Sequence, residues 1–157
     1  MKYLILLALF MTTCAMAEVD LVKVNKSSQK MFLISNGKVI REYPVAFGAN
    51  PEGHKQQEGD QKTPKGVYTL DYKKEDSSFY RAMHISYPNQ ADKNRATEKG
   101  FSAGGFIMVH GQRNWLGWFS SITQQFNWTN GCIALTNSEI DEFMELVSVG
   151  TPIRIEW

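Results

Sequence analysis

Apolar and polar residues alternate from the start of the region after residue 17. Val22 and Val24 flank Lys23, the polar run Asn25-Lys26-Ser27-Ser28-Gln29 interrupts them, and Met31-Phe32-Leu33-Ile34 follows. A period of two predicts a strand, a turn and a second strand. Asn36-Gly37 then lies between two apolar runs, where a type I′ turn needs positive φ at both central residues. Residues 30–47 are therefore predicted to form a hairpin, with Val39-Ile40 and Tyr43 to Phe47 on its second arm. Residues 48–66 are rich in Gly, Pro, Gln and charge and keep no period, so a long loop is expected, of the kind that tends to carry function. It ends at Thr63-Pro64-Lys65-Gly66, a turn feeding a strand over Val67 to Tyr72.

Residues 73–105 read as mostly irregular, interrupted by Ala82-Met83-His84-Ile85-Ser86. The apolar run Phe106-Ile107-Met108-Val109 then reads as a buried strand that delivers His110-Gly111. Thr136-Asn137-Ser138-Glu139 is a capping box. Ile140, Phe143, Met144 and Val147 follow at helical spacing, Gly150 and Pro152 stop the segment, and Ile153, Ile155 and Trp157 alternate with Arg154 and Glu156 as a closing strand. The expectation is a mainly β, single-domain sandwich or barrel-like fold of six to eight strands, with one clear helix in the C-terminal half and a few short ones.

The first seventeen of the 157 residues change the picture of where this domain works. Lys2, a short apolar stretch from Leu4 and the exit Ala15-Met16-Ala17 have the order of a cleaved secretory signal, too short to span a bilayer. Cleavage after Ala17 is expected, leaving residues 18–157 as the domain. Met11-Thr12-Thr13 before Cys14 argues against a lipoprotein site, which needs a Leu and small residues there. The whole chain carries 17 basic and 16 acidic side chains, and removing Lys2 leaves the two equal. So balanced a chain has no basic field for a phosphate backbone, and nucleic acid is not expected as a partner.

Cys132 is then the single cysteine of an exported chain and has no intramolecular disulfide partner. It follows Gly131, where two successive amides beside a thiol suit an oxyanion hole. A thiol needs a base, and three histidines are available. His54 sits in the polar loop, where exposure is the default. His84 alternates with Met83 and Ile85 and reads as structural or as a pocket wall. His110, at the end of a buried strand, is the position from which a ring is held rigidly toward a cleft. No HExxH, CxxC or paired His–carboxylate spacing appears, so no metal or cofactor is expected. Asn25-Lys26-Ser27 and Asn127-Trp128-Thr129 match the short glycosylation sequon.

His110-Gly111 and Thr129-Asn130-Gly131-Cys132, in an exported mainly β chain, resemble the L,D-transpeptidase catalytic domain (YkuD-type), cysteine enzymes that remodel peptidoglycan. Lys62-Thr63-Pro64-Lys65-Gly66-Val67-Tyr68, the stretch from Phe79 to Asn89, and Gly150-Thr151-Pro152-Ile153 extend the resemblance over nearly the whole mature chain. It implies that Cys132 is the nucleophile, His110 the base, and the Gly131 and Cys132 amides the oxyanion donors. Substrate contacts are expected from Thr129 and Asn130 beside the cysteine, from Gly111, Arg113, Trp115 and Trp118 after the histidine, and from His84 and Tyr87. Two positions depart from the family pattern: Asn130 stands where a histidine is usual and Ala134 where many members carry an arginine. Arg113 with Trp115 and Trp118 would supply a cation and aromatic walls instead. The implied chemistry is a thioester at Cys132 with release of a terminal D-alanine from a peptidoglycan stem peptide. An amine or water then accepts the acyl group. The alternatives are an L,D-carboxypeptidase or wall-releasing hydrolase, and a non-catalytic wall-binding module. A monomer in the periplasm or at the wall, with no stable membrane insertion, completes the expectation.

Overall fold

In the computed structural model, which describes residues 18–115 and 117–157, eight strands form one mixed sheet in the order β3-β2-β1-β8-β4-β5-β6-β7. The expected leader, residues 1–17 with Cys14, lies outside the described residues. β1 (Leu21–Asn25), β2 (Lys30–Ser35) and β3 (Lys38–Pro44) are a meander whose inner positions Val22, Val24, Met31 and Leu33 are buried. Asn36 and Gly37 have φ of 50° and 73°, the turn that their side chains predict. β8 (Pro152–Glu156) enters between β1 and β4 (Gly66–Ser77), parallel to the first and antiparallel to the second, and buries Ile153 and Ile155. β5 (Tyr80–Ile85) pairs with β4 and with β6 (Met108–His110), and β6 runs parallel to the two-residue β7 (Ile133–Ala134).

The two ends of this order meet. Beyond β3, Ala46 and Ala134 exchange both backbone hydrogen bonds, at 3.1 and 2.8 Å, and Thr129 bonds to Phe47 and Ala49. The curled sheet is thus joined to itself through the segment after β3, the barrel-like variant of the expected fold. Across its inner face lies α3 (Asn137–Leu146), started by Thr136, whose hydroxyl accepts the Glu139 N–H while the Glu139 carboxylate accepts the Thr136 N–H. Ile140, Phe143 and Met144 on one helix face are buried against the sheet, a burial that typically stabilises by about 1.5–3 kcal/mol per side chain.

Three stretches differ from the expectation. β4 and β5 run further than an irregular 73–105 allows, because Lys73 to Ser77 continue the ladder as a largely exposed ribbon. A nine-residue helix, α1 (Gln90–Glu98), occupies part of the same region. It has no apolar stripe and buries only Asp92 and Ala96; its start is set by Asn89, whose side chain caps Asp92 N–H while the Asp92 carboxylate returns the bond. Phe106, read as part of a buried strand, is 79% exposed, and the strand begins two residues later. Between β6 and β7 the connection contains a 3-10 turn (Gly117–Phe119) and the short α2 (Ser120–Thr123). Among the described residues no helix is long and apolar enough to cross a membrane.

Candidate active site

β6 and β7 bring His110 and Cys132 to one face of the sheet. Their register pairs Val109 with Ile133 and His110 with Ala134, and side chains alternate along each strand. Val109 and Ile133 therefore point together into the core, where both are fully buried, while Met108, His110 and Cys132 point to the opposite side. That side is a cavity of about 460 Å³. Its walls are His110, Cys132, Met108 and Phe106, with Ser77 and Phe79 from the β4–β5 turn, Gln112 and Arg113 after β6, and Thr123, Trp128, Thr129 and Asn130 before Cys132.

The His110 ring is held on three sides. Its Nδ1 lies 2.6 Å from the Gly111 carbonyl oxygen. A carbonyl only accepts, so Nδ1 carries the proton and, in the neutral ring, Nε2 carries the lone pair. Phe79 lies 4.5 Å from the imidazole, centroid to centroid, and Trp128 5.8 Å away at 66°. This apolar packing leaves His110 3% exposed and pushes its pKa down to about 4, with the Gly111 carbonyl opposing. The ring is therefore neutral at pH 7. Gly111 is a glycine by necessity of packing: a Cβ there would come within 2.8 Å of Asn137 Oδ1 and 3.2 Å of the Phe79 carbonyl. The following residue is fixed as well, since Gln112 donates its amide to Asn137 Oδ1 and its side chain to the Leu135 carbonyl.

The Cys132 thiol is half-buried and lies 3.6 Å from the Phe106 carbonyl oxygen, to which it donates. Burial raises its pKa above the ordinary thiol range, while the Met108 amide and the charge of Lys55 pull the other way. Both partners are thus uncharged at rest. Gly131 has φ of 121°, and a Cβ on it would meet the Lys62 carbonyl oxygen at 2.6 Å, so only glycine fits this approach. The Thr129 hydroxyl accepts the Gly131 N–H at 3.1 Å and donates to the Cys132 carbonyl at 2.8 Å. The loop before the sulfur is closed on itself in this way, and the Gly131 amide expected as an oxyanion donor is already engaged.

Behind it stands a second fixed loop. The Asp60 carboxylate accepts the amides of Gln56, Gln57 and Lys62, at 2.7, 3.1 and 3.0 Å, and pairs with the buried Lys55 ammonium at 2.8 Å. This is the loop whose Lys62 carbonyl backs Gly131. A further cavity of about 380 Å³, lined by Lys55, Ile107 and others, shares Phe106 and Asn130 with the first.

Of the expected site residues, the fold gathers Cys132, His110, Thr129, Asn130 and Arg113 at the cavity, with Gly131 and Gly111 behind its wall. Trp115, Trp118, His84 and Tyr87 are not among its lining residues. Tyr87 is core instead, 3% exposed with its hydroxyl on the Ala103 carbonyl. His84 bonds Asp71 at 2.7 Å, stacks on Tyr72 at 4.6 Å and reaches the cavity only through the edge of Phe106. His54 departs from its exposed reading: its Nδ1 accepts the Lys65 N–H and its Nε2 faces the buried Asp92 at 3.1 Å, which makes it a structural pin. Sequence reasoning missed Phe79, Trp128, Gln112 and Asp60, which acquire their roles only when distant segments meet. Among the described residues no cluster of three or more His, Cys, Asp or Glu is placed to hold a metal ion.

The profile of the L,D-transpeptidase catalytic domain, YkuD, matches residues 20–155. YafK of Escherichia coli strain K12, named as a candidate L,D-transpeptidase, is 31% identical over 112 residues, which are 70% of this chain and 38% of YafK. The crystal structure of the helical cell shape determining protein Pgp2 from Campylobacter jejuni aligns with a TM-score of 0.66 and 30% identity, over 88% of this chain and 47% of that one. An L,D-transpeptidase from Mycobacterium smegmatis aligns over 90% of this chain and 59% of its own, with a TM-score of 0.59; at 20% identity the likeness is one of fold. The chain spans less than half the length of YafK and of Pgp2.

Proposed function

The chain belongs to the L,D-transpeptidase catalytic-domain (YkuD) family, and from that premise we propose that it is an exported cysteine acyltransferase acting on peptidoglycan stem peptides, with Cys132 as nucleophile and His110 as base. The observation that carries the reading is the Nδ1–H bond from His110 to the Gly111 carbonyl. It fixes the tautomer whose Nε2 takes a proton, and that ring lines the same cavity as the thiol.

In the first step Nε2 accepts the Cys132 proton as sulfur bonds to the carbonyl carbon of the third stem residue. With the Gly131 amide held by Thr129, the Cys132 amide stabilises the oxyanion, and the imidazolium gives its proton to the departing amine of D-alanine as the C–N bond breaks. A thioester remains. An incoming amine or water then loses a proton to His110, attacks the thioester carbon and expels the thiolate, which recovers that proton. The product is a new amide or a free carboxyl.

Neutral partners suit this order of events. Charge separates only as the tetrahedral centre forms, so the site spends its electrostatics on the transition state rather than on a resting ion pair. Incubation of the mature protein with tetrapeptide muropeptides, read by mass, tests the proposal. Cross-linked dimer or tripeptide is expected, depending on the acceptor, and Cys132→Ala abolishes both. Identical products from Cys132→Ala would overturn it, as would wild-type protein that binds muropeptides and leaves them unchanged.

A further inference from the structure

The proposed chemistry consumes a peptide, and it leaves unexplained three exposed aromatic side chains that are not among the residues lining the cavity. Trp115 is 93% exposed, and the same β6–β7 connection exposes Trp118 at 76% and Phe126 at 63%. Trp115 has a left-handed backbone, φ 73°, a conformation that a bulky residue adopts only when its surroundings impose it. The imposition is visible. The preceding Asn114 is bolted to the β4–β5 turn by three hydrogen bonds: its amide donates to the Ser78 carbonyl, its side-chain nitrogen to the Ser77 carbonyl, and its side-chain oxygen accepts the Tyr80 N–H. The Trp118 indole N–H donates to the Trp115 carbonyl at 3.1 Å. Arg113, one residue before Asn114, lines the catalytic cavity. The main chain that carries Trp115 is thus pinned to the β4–β5 turn, two residues along the chain from Arg113 of the cavity wall.

We propose that Trp115, supported by Trp118, is a binding platform for the glycan strand from which the stem peptide hangs. The inference rests on the stem-peptide reading of the cavity. A pyranose ring offers a flat face of C–H groups that stacks on an indole while its hydroxyls stay in water, which suits a platform that is apolar and open. A second copy of the chain is the poorer occupant. Three aromatic side chains contribute on the order of 450–750 Å², below the roughly 800 Å² per partner of a stable interface.

The test compares kcat/KM for a tetrapeptide on a short glycan chain with that for the sugar-free tetrapeptide, in wild type, Trp115→Ala and Trp115→Phe. The ratio divides out any general loss of activity. Wild type is expected to prefer the glycan-bearing substrate at least about ten-fold, equivalent to about 1.4 kcal/mol. Alanine should bring the ratio to within about two-fold of unity, and phenylalanine should retain part of it, as half-sized stacking surfaces do. A wild-type ratio near one, or an unchanged ratio in Trp115→Ala, overturns the platform while leaving the acyl transfer standing. Should neither substrate turn over, the catalytic reading fails, and the platform is judged by binding. Peptide-free glycan strands should quench wild-type tryptophan fluorescence and should bind Trp115→Ala at least about ten-fold more weakly. Equal binding by the two proteins overturns it, as does sedimentation showing a wild-type dimer that Trp115→Ala dissociates without change in glycan binding.

Discussion

Acidification should unfold this protein partly through one imidazole. His110 keeps a native pKa near 4, whereas the unfolded ring titrates at 6.5. Between those values the unfolded chain binds a proton that the native one refuses, so protons favour unfolding. The contribution is fully present above pH 6.5 and disappears as the pH falls to 4. Two and a half pH units at 1.36 kcal/mol each amount to about 3 kcal/mol, on a ring that is almost wholly buried. Urea denaturation of the mature wild type and of His110→Gln, at half-unit steps from pH 7.5 to 4, isolates the effect. Glutamine cannot titrate, and every other group, His54 and the carboxylates included, is common to both proteins. The wild-type stability should fall relative to the variant by about 3 kcal/mol across the window, with the steepest divergence below pH 6. Parallel curves would refute the reasoning and mean that water or a counter-charge reaches the ring between Phe79 and Trp128.

The thiol should be slow to alkylate at neutral pH: the rate of Cys132 carboxamidomethylation should rise as a single ionisation above the ordinary thiol range, and a rate plateau starting near pH 5 would reveal a resting thiolate–imidazolium pair. Gly131→Ala adds a Cβ at 2.6 Å from the Lys62 carbonyl on a φ of 121°, and should cost about 1–3 kcal/mol in thermal or urea unfolding together with most of the activity; native behaviour in both assays would contradict the packing. Asp60→Asn removes the charge facing the buried Lys55 and should destabilise by roughly 3 kcal/mol while slowing turnover through the loop behind Gly131; a loss below about 0.5 kcal/mol would show that the pair is dispensable.

Elements whose signal is local were legible in the sequence. Asn36-Gly37 specifies its turn by φ alone, Thr136 and Glu139 start α3 within one turn, and Ile140, Phe143 and Met144 mark its inner face. α1 was hidden because its stability comes from Asn89 and the buried Asp92, not from an apolar stripe, and a polar nine-residue segment has no period to read. The extension of β4 to Ser77 was hidden for the complementary reason: an exposed ribbon on both faces shows no alternation. At the site, the chain announced its thiol and a histidine after a buried strand. It did not announce how the histidine is kept neutral, since Phe79, His110 and Trp128 meet only through the fold. Nor did it reveal that Thr129 spends its hydroxyl on Gly131 and Cys132, which reads equally well as a substrate contact until the loop is seen closed.

The seam between Ala46 and Ala134 closes one flank of the strand that follows Cys132. β7 is two residues long, and both its flanks are occupied, by β6 on one side and by Ala46 on the other. Among the described residues, no vacant ladder edge runs along Ala134, so an incoming chain does not add as a further strand there. A peptide substrate of the proposed reaction would then be held by its side groups and ends rather than by a ladder along β7. A site of that kind does not impose the handedness of a β-ladder on its guest, and residues of opposite chirality on either side of the reacting bond are no obstacle to entry.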